Sequence, residues 1–416
     1  MFRSRSIDRP AFAWALYDWG NSAFSTTVMA GFFPLMFKQY WSSGDASMSS
    51  FRLGLASSLA SLVIALSAPA LGAIADAGGS RKRFLLATAA IGIAGTAGLF
   101  FVGAGQWAMA ATVFVIATIG FSASMIFYDA LLMDVSTPAT SDYVSAFGFA
   151  IGYLGGGVLF LLNIVMYKSP ATFGIATPED AARWSFLSVA MWWALFSIPL
   201  ARAVRERAPA GRQAGTTRRG LHDLVETIRH LRRHRVVLLF LLGYWFYIDG
   251  VHTIVRMGID YGMSLGFPAG TLIAALLLIQ FVGFPASLAF GKIGERYGAK
   301  TGIYIAIAVY AGICLWGYRL ARPSEFYALA VAIGLVQGGI NSLSRSYYSR
   351  LIPEDQSAQF FGYYNTIGRF SAVLGPVLMG WVSVTTGNPR LSMLALIAFF
   401  VVGAMFLARV RETTVS

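Results

Sequence analysis

Asp249, His252 and Arg256 stand three and then four residues apart in an otherwise apolar stretch, so a helix would carry them on one face. Arg256 would attract a carboxylate there. Asp249 would hold an ammonium group or carry a proton, and histidine is the side-chain type that changes charge near neutral pH. The trio has the chemistry to take a zwitterion and a proton. The alternative is an internal ion pair, Asp249 with Arg256, that satisfies both groups without a ligand. Other polar residues interrupt apolar stretches in the same way: Asp18 with Asn21, Asp129, Asp260, Gln280, Gln337 with Asn341 and Arg345, and Asn365 with Arg369.

These residues need long helices around them. The chain has 416 residues, of which 56% are hydrophobic and 12% charged. A soluble domain carries about twice that charge. A soluble enzyme, a disordered chain and a fibre are therefore excluded, and a polytopic helical membrane protein fits. Crossing the hydrocarbon core takes about 20 mostly apolar residues. Punctuation by charges, Gly and Pro gives twelve predicted spans, at 11–38, 51–75, 84–103, 107–133, 143–167, 183–204, 236–262, 269–291, 301–319, 325–350, 359–385 and 391–409. The first contains Asp18 and Asn21 and lacks a small-residue cleavage site, so it is read as a span and not as a cleaved signal. The single cysteine, Cys314, excludes an internal disulfide and a cysteine metal site.

An even number of spans puts both termini on one side. That side then carries 22 of the 32 Lys and Arg, the other side 7, and Arg256, Arg345 and Arg369 lie within spans. The bias makes it the cytoplasm, and it accounts for the net charge of +13 without nucleic acid. Domain boundaries follow: 1–204, a six-helix bundle; 205–235, a basic linker; 236–416, a second bundle. Within the linker, Leu221, Leu224, Val225, Ile228 and Leu231 have helical spacing with a basic opposite face, which predicts an amphipathic helix on the inner membrane surface. His222, His230 and His234 belong to that solvated basic face more naturally than to a metal site.

Buried ionisable groups face a water-filled cavity or a partner. At about 1.5 Å rise per residue, Asp249, His252, Arg256, Gln280, Gln337 and Asn341 fall near mid-membrane. Asp18, Asp129, Arg345 and Arg369 fall in the cytoplasmic third. The acids lie in the first half and the bases in the second. One expectation is that they pair across the halves and close an inner gate. The alternative is that Asp18 and Asp129 pair within their own half. Tyr17 and Tyr247 are further candidates for the cavity wall. The glycines between Gly152 and Gly157 predict a close packing surface. A phosphate loop would need an adjoining strand and a basic residue, and both are missing.

The two halves share a pattern. Gly72, Asp76, Gly79 and Arg81 follow the second span, and Gly291, Glu295, Gly298 and Lys300 follow the eighth at the same offsets. The first Gly would allow close helix packing, the acid would meet a helix N-terminus, the second Gly would permit a tight turn, and the base would stay in the cytoplasm. In this the chain resembles the major facilitator superfamily over essentially its whole length, although Ala77 and Ser80 stand where bases are common. A narrower resemblance lies in Trp14-Ala-Leu-Tyr-Asp18-Trp-Gly-Asn21-Ser-Ala-Phe24 and in Ser344-Arg345-Ser346-Tyr-Tyr-Ser-Arg350-Leu-Ile-Pro353, followed by Phe360-Phe-Gly362. These look like signatures of the vacuole effluxer family, relatives of the autophagy-related vacuolar amino-acid exporter. The resemblance implies an all-α fold of twelve helices in two bundles, with spans one, four, seven and ten lining a central pathway. Most of the intramembrane polar residues fall on those four spans.

The expected function is secondary active transport by alternating access, proton-coupled, exporting a small amino acid or related zwitterion from a bacterial inner membrane. The expected substrate and proton site comprises Asp249, His252, Arg256, Asn341, Gln337, Gln280, Asp18, Asn21, Tyr17 and Tyr247. The expected gate comprises Asp18, Asp129, Arg345 and Arg369. Neither cofactor nor metal is expected; the protein would be a monomer whose partners are a small molecule, protons and the bilayer. The alternative is an exporter of amphiphilic or drug-like compounds, against which Arg256 and Arg345 argue for cationic cargo. A transport-dead sensor would usually add a soluble domain, and an intramembrane enzyme would need more histidine than His252 within its spans.

Overall fold

The computed structural model describes residues 7–42, 46–78, 80–206, 234–265 and 267–411, and these are helical nearly throughout. In the N-terminal half, α1 (Arg9–Ala23) runs on through wide π turns at Phe24–Phe32, an α turn at Phe33–Met36 and more π turns at Phe37–Trp41. Then come α2 (Ala46–Gly78), α3 (Arg81–Gly98), α4 (Trp107–Ala130), α5 (Ser141–Lys168) and α6 (Pro178–Ala203). The C-terminal half has α7 (Arg235–Ser264), α8 (Ala269–Tyr297), α9 (Ala299–Tyr318), α10 (Pro323–Ser349) and α11 (Ser357–Thr386). It ends with α12 (Pro389–Ala395) and α13 (Ile397–Arg409).

Local chemistry marks the helix ends. Asp8 accepts a hydrogen bond from Ala11 N, and Pro10 sits in the first turn of α1, where its missing N–H costs nothing. Thr177 caps α6 through Asp180 N, ahead of Pro178. The α8–α9 turn falls at Gly298, whose φ of 84° suits glycine. Pro34, which cannot donate to the preceding turn, follows the wide turns of the first span.

Nine helices among the described residues are long and apolar enough to cross a membrane, from Arg81–Phe101 to Arg390–Arg409. The expected spans 11–38, 51–75 and 359–385 are not among the nine, although each is helical along its length. The first is divided among short α and π pieces. The burial pattern is that of a membrane protein. Leu66, Met191, Leu195, Val377 and Trp381 are exposed, while Asp18, Asp129, Asp249 and Arg345 are buried. The linker helix expected over 221–231, with His222 and His230, lies outside the described residues, as do Gly79 and the side chains of Arg256, Asp260 and Arg369. Among the described residues, no group of three or more His, Cys, Asp or Glu could hold a metal ion.

The halves meet where α5 packs along α8 and α2 along α11. Small residues permit this. Gly72 abuts the Ala358 backbone, and Gly362 abuts that of Ala68 and Pro69. Asp76 accepts from Ala358 N (3.2 Å) and Gln359 N (2.8 Å) at the start of α11. Arg81 donates to Ser357 Oγ (2.6 Å) and pairs with Asp134 (3.2 Å) and Asp76 (3.6 Å). The two copies of the loop pattern differ by one residue at the base. Lys300 caps the end of α13 through Ala408 O and Val410 O, and in the first half the same task falls to Lys82, through Ala201 O and Val204 O at the end of α6. Offset alone matches Lys300 to Arg81, which instead reaches across the halves.

Candidate functional site

A cavity of about 370 Å³ lies between the halves. That is the size of a pocket for a small ligand. Asp18, Asn21, Ser22, Ser25 and Thr26 form one wall. Their spacing of three, one, three and one residues is a single stripe on the first span. Gly152 of α5 lets that stripe approach: a Cβ there would sit 2.8 Å from Ser22 Oγ and 2.9 Å from Asp18 Cγ. Asp18 accepts from Ser22 Oγ (3.1 Å), and Thr26 donates to Ser22 O (3.1 Å). The opposite wall brings His252 and Val255 from α7, Leu276, Ile279 and Gln280 from α8, and Gln337 and Asn341 from α10. Asn341 donates to Gln337 O (2.8 Å). Phe121, Met125, Phe149, Tyr153 and Phe160 supply apolar surface.

The structure thus brings Asp18, Asn21, His252, Gln280, Gln337 and Asn341 together. Three other expected site residues face elsewhere. Asp249 is fully buried against α11, accepting from Gly375 N (3.0 Å) and Thr253 Oγ1 (3.2 Å). Three residues along a helix leave side chains about 60° apart, and the border between the cavity face and the α11 face falls between Asp249 and His252. Tyr17 donates to Ser124 Oγ (2.8 Å) behind the wall, and the Tyr247 hydroxyl bonds Ser344 Oγ (2.7 Å) inside the second half.

Below the cavity, at the end bearing the Arg81 and Lys300 loops, the halves are bolted together. Arg345 of α10 is 1% exposed. Its Nη1 donates to Asp129 Oδ1 (3.1 Å), its Nε to Ser145 Oγ (2.9 Å) and its Nη2 to Ser145 O (2.9 Å). The guanidinium carbon lies 4.4 Å from the Phe149 ring centre, 4.9 Å from Trp14 and 5.3 Å from Tyr128. Asn365 of α11 donates to the second Asp129 oxygen (2.9 Å). Beside this pair, Asp142 of α5 receives Ser346 Oγ (2.6 Å) and Arg350 Nη1 (3.1 Å), and Ser145 Oγ donates to Ser342 O (2.8 Å). Each of these contacts joins one half to the other. Asp18 feels the charges of both Arg345 and Asp129. It is the carboxylate that belongs to the cavity and also senses the bolt.

Sequence reasoning passed over Ser22, Ser25, Thr26, Ser145, Phe149 and Asp142. The first three were visible as a polar stripe at helical spacing. Asp142 opens α5, where a cytoplasmic loop residue was expected.

The model of the family described as vacuole effluxer Atg22 like matches residues 40–414. The chain belongs to this family. It is 36% identical over 406 residues to the uncharacterized MFS-type transporter YxiO of Bacillus subtilis, covering 97% of this chain and 95% of that one. Autophagy-related protein 22 of Yarrowia lipolytica is 28% identical over 282 residues, 60% of this chain. The chain spans about half the length of the fungal relatives it matches, 47% in that case. Among solved structures, the proton:xylose symporter XylE superposes with a TM-score of 0.75 at 14% identity, covering 99% of this chain and 97% of that one. FucP in the outward conformation gives 0.75 at 12% identity, covering 97% and 98%. The fold is that of major facilitator transporters. A multi-pass membrane transporter follows for this Atg22-like chain; an enzyme does not.

Proposed function

We propose that this chain is a proton-coupled secondary transporter that exports a small amino acid or related zwitterion across a bacterial inner membrane by alternating access. In this reading twelve helices span the bilayer as two bundles, 1–204 and 236–416, and both termini and the Arg81 and Lys300 loops are cytoplasmic. The observation that carries it is a cavity between the halves with polar side chains on both of its walls, underlain by cross-half ion pairs at one end only among the described contacts. In this reading the basic loops make that end cytoplasmic, and the cross-half pairs are an inner gate in its shut state.

Asp18 carries the proton and meets the cargo's ammonium group. The titratable and charged groups around it are Tyr17 on its own helix, Tyr128 and Asp129 of α4, Tyr153 of α5, Arg345 of α10 and, across the cavity, His252. Asn21, Gln280, Gln337 and Asn341 supply neutral hydrogen bonds that orient the cargo. Cargo or a proton on Asp18 changes the field at Arg345 and so biases the gate, which is how a ligand shifts a two-state equilibrium.

The test is uptake of a labelled amino-acid panel into proteoliposomes, with and without a pH gradient, comparing wild type with Asp18→Asn. We expect gradient-driven uptake of part of the panel by wild type and loss of its gradient dependence in the variant. No uptake of any zwitterion by wild type would overturn the cargo assignment, and equal gradient dependence in both proteins would overturn the role of Asp18.

A further inference from the structure

Arg345 comes from the C-terminal half, yet every group that surrounds its charge, apart from its own helix, comes from the N-terminal half. Trp14 is on α1, Tyr128 and Asp129 on α4, Ser145 and Phe149 on α5. Three aromatic faces, one carboxylate, one carbonyl and one hydroxyl make a receptor for an organic cation. The receptor holds its own shape. Trp14 stacks on Tyr128 at 4.3 Å between ring centres with an interplanar angle of 4°, and Trp14 Nε1 donates to Tyr128 O at 2.9 Å. Gly148 brings α5 against both rings. None of these contacts involves Arg345.

Alternating access requires the two halves to separate at this end. Arg345 then leaves with its own half, and the socket stays behind with its charge uncovered. A carboxylate uncovered among aromatic faces attracts a replacement cation. Phe149 both lines the cavity and lies on the guanidinium, so one ring divides the socket from the cargo chamber.

We infer that the Trp14–Tyr128–Asp129–Ser145–Phe149 socket is a second cargo site, which takes the cationic group of the transported molecule when Arg345 withdraws. Arg345 is in effect a tethered stand-in for that group. The inference rests on the zwitterion reading above and deepens it. A zwitterion that moves on from Asp18 and inserts between Asp129 and Arg345 leaves both paired, its ammonium group now in the socket and its carboxylate on the released guanidinium. A plain amine leaves Arg345 uncovered, and a plain acid leaves Asp129 uncovered. The pair therefore selects molecules carrying both charges, and inserting one is what opens the gate.

The socket can be tested without transport. Full-length Arg345→Ala in lipid nanodiscs is titrated with ethylguanidinium, ethylammonium, the neutral isostere ethylurea, and propionate, following the thermal midpoint and tryptophan fluorescence. We expect both cations to stabilise Arg345→Ala, ethylurea and propionate to leave it unmoved, and wild type to respond to none. Adding Asp129→Asn should weaken the cation response by about tenfold or more, since it removes the charge of a desolvated pair. Arg345→Gln, which keeps the side chain's length, is the second background. If neither variant folds alone, the yield of monodisperse protein purified with ethylguanidinium against ethylurea reads the same preference. An equal response to ethylurea, or an unchanged response in the Asp129→Asn background, overturns the socket. The result is independent of the cargo test: amino acids moved by wild type together with no cation preference in Arg345→Ala would remove the socket and leave the transporter. A cation preference without amino-acid uptake would keep the socket and remove the amino-acid cargo.

Discussion

Arg345 and Asp129 form an ion pair whose side chains are 1% and 7% exposed. Removing one partner strands the other, which typically costs about 3–5 kcal/mol, whereas removing both costs less than the sum. Thermal midpoints of Arg345→Gln, Asp129→Asn and the double variant should show this: two large losses, and a double variant no worse than the poorer single. Exchanging the charges, Asp129→Arg with Arg345→Asp, should recover part of what either reversal destroys. Additive losses would mean that the two groups do not act as a pair. At this scale the sequence was partly legible. Asp18, Asn21, His252, Gln280, Gln337 and Asn341 stand out because polar atoms in an apolar stretch need water or a partner, and all six reach the cavity. Asp249, Tyr17 and Tyr247 stand out for the same reason but found partners inside the protein. Helical phase decides between these outcomes. Spacing within one helix fixes which residues share a face but not which neighbour that face meets.

The polar stripe on the first span works only because α5 presents glycine to it. Gly152→Val would press a branched side chain against Ser22 and Asp18. Overpacking of this kind costs about 1–3 kcal/mol, so a lowered thermal midpoint and loss of transport are expected together. Wild-type behaviour of that variant would show that α1 and α5 are looser than the described contacts. Gly298→Ala tests the loop turn. At a φ of 84° a Cβ is strained, and about 1 kcal/mol should be lost with transport retained. The glycine run in α5 and the repeated loop pattern could be read from sequence because small residues and recurring offsets stand out by themselves, although what they pack against lies far away in the chain. The wide turns after Ala23 could not, since they depend on how the first span fits its neighbours. Nor could the exchange of Lys82 for Arg81, since cap geometry depends on where α6 ends.

For the whole molecule, composition was enough to indicate a bundle of membrane helices, and the distribution of Lys and Arg is the basis of the proposed orientation. The way one half closes on the other was legible only as a list of acids in the first half and bases in the second. Of that list, Arg345 with Asp129 becomes a contact, Asp18 bonds Ser22 on its own span, and Arg350 with Asp142 adds a pair the list did not contain. Cys314 is fully buried, so single engineered cysteines report on the cavity with little background. The most direct measurement is the rate at which Ser25→Cys, on the cavity wall, reacts with a membrane-impermeant thiol reagent applied from the cytoplasmic face. The account predicts slow modification while Arg345 is present and a rate about tenfold higher or more once Arg345→Ala removes the bolt between the halves. Fast modification with Arg345 intact, or an unchanged slow rate without it, would contradict a gate closed by this pair.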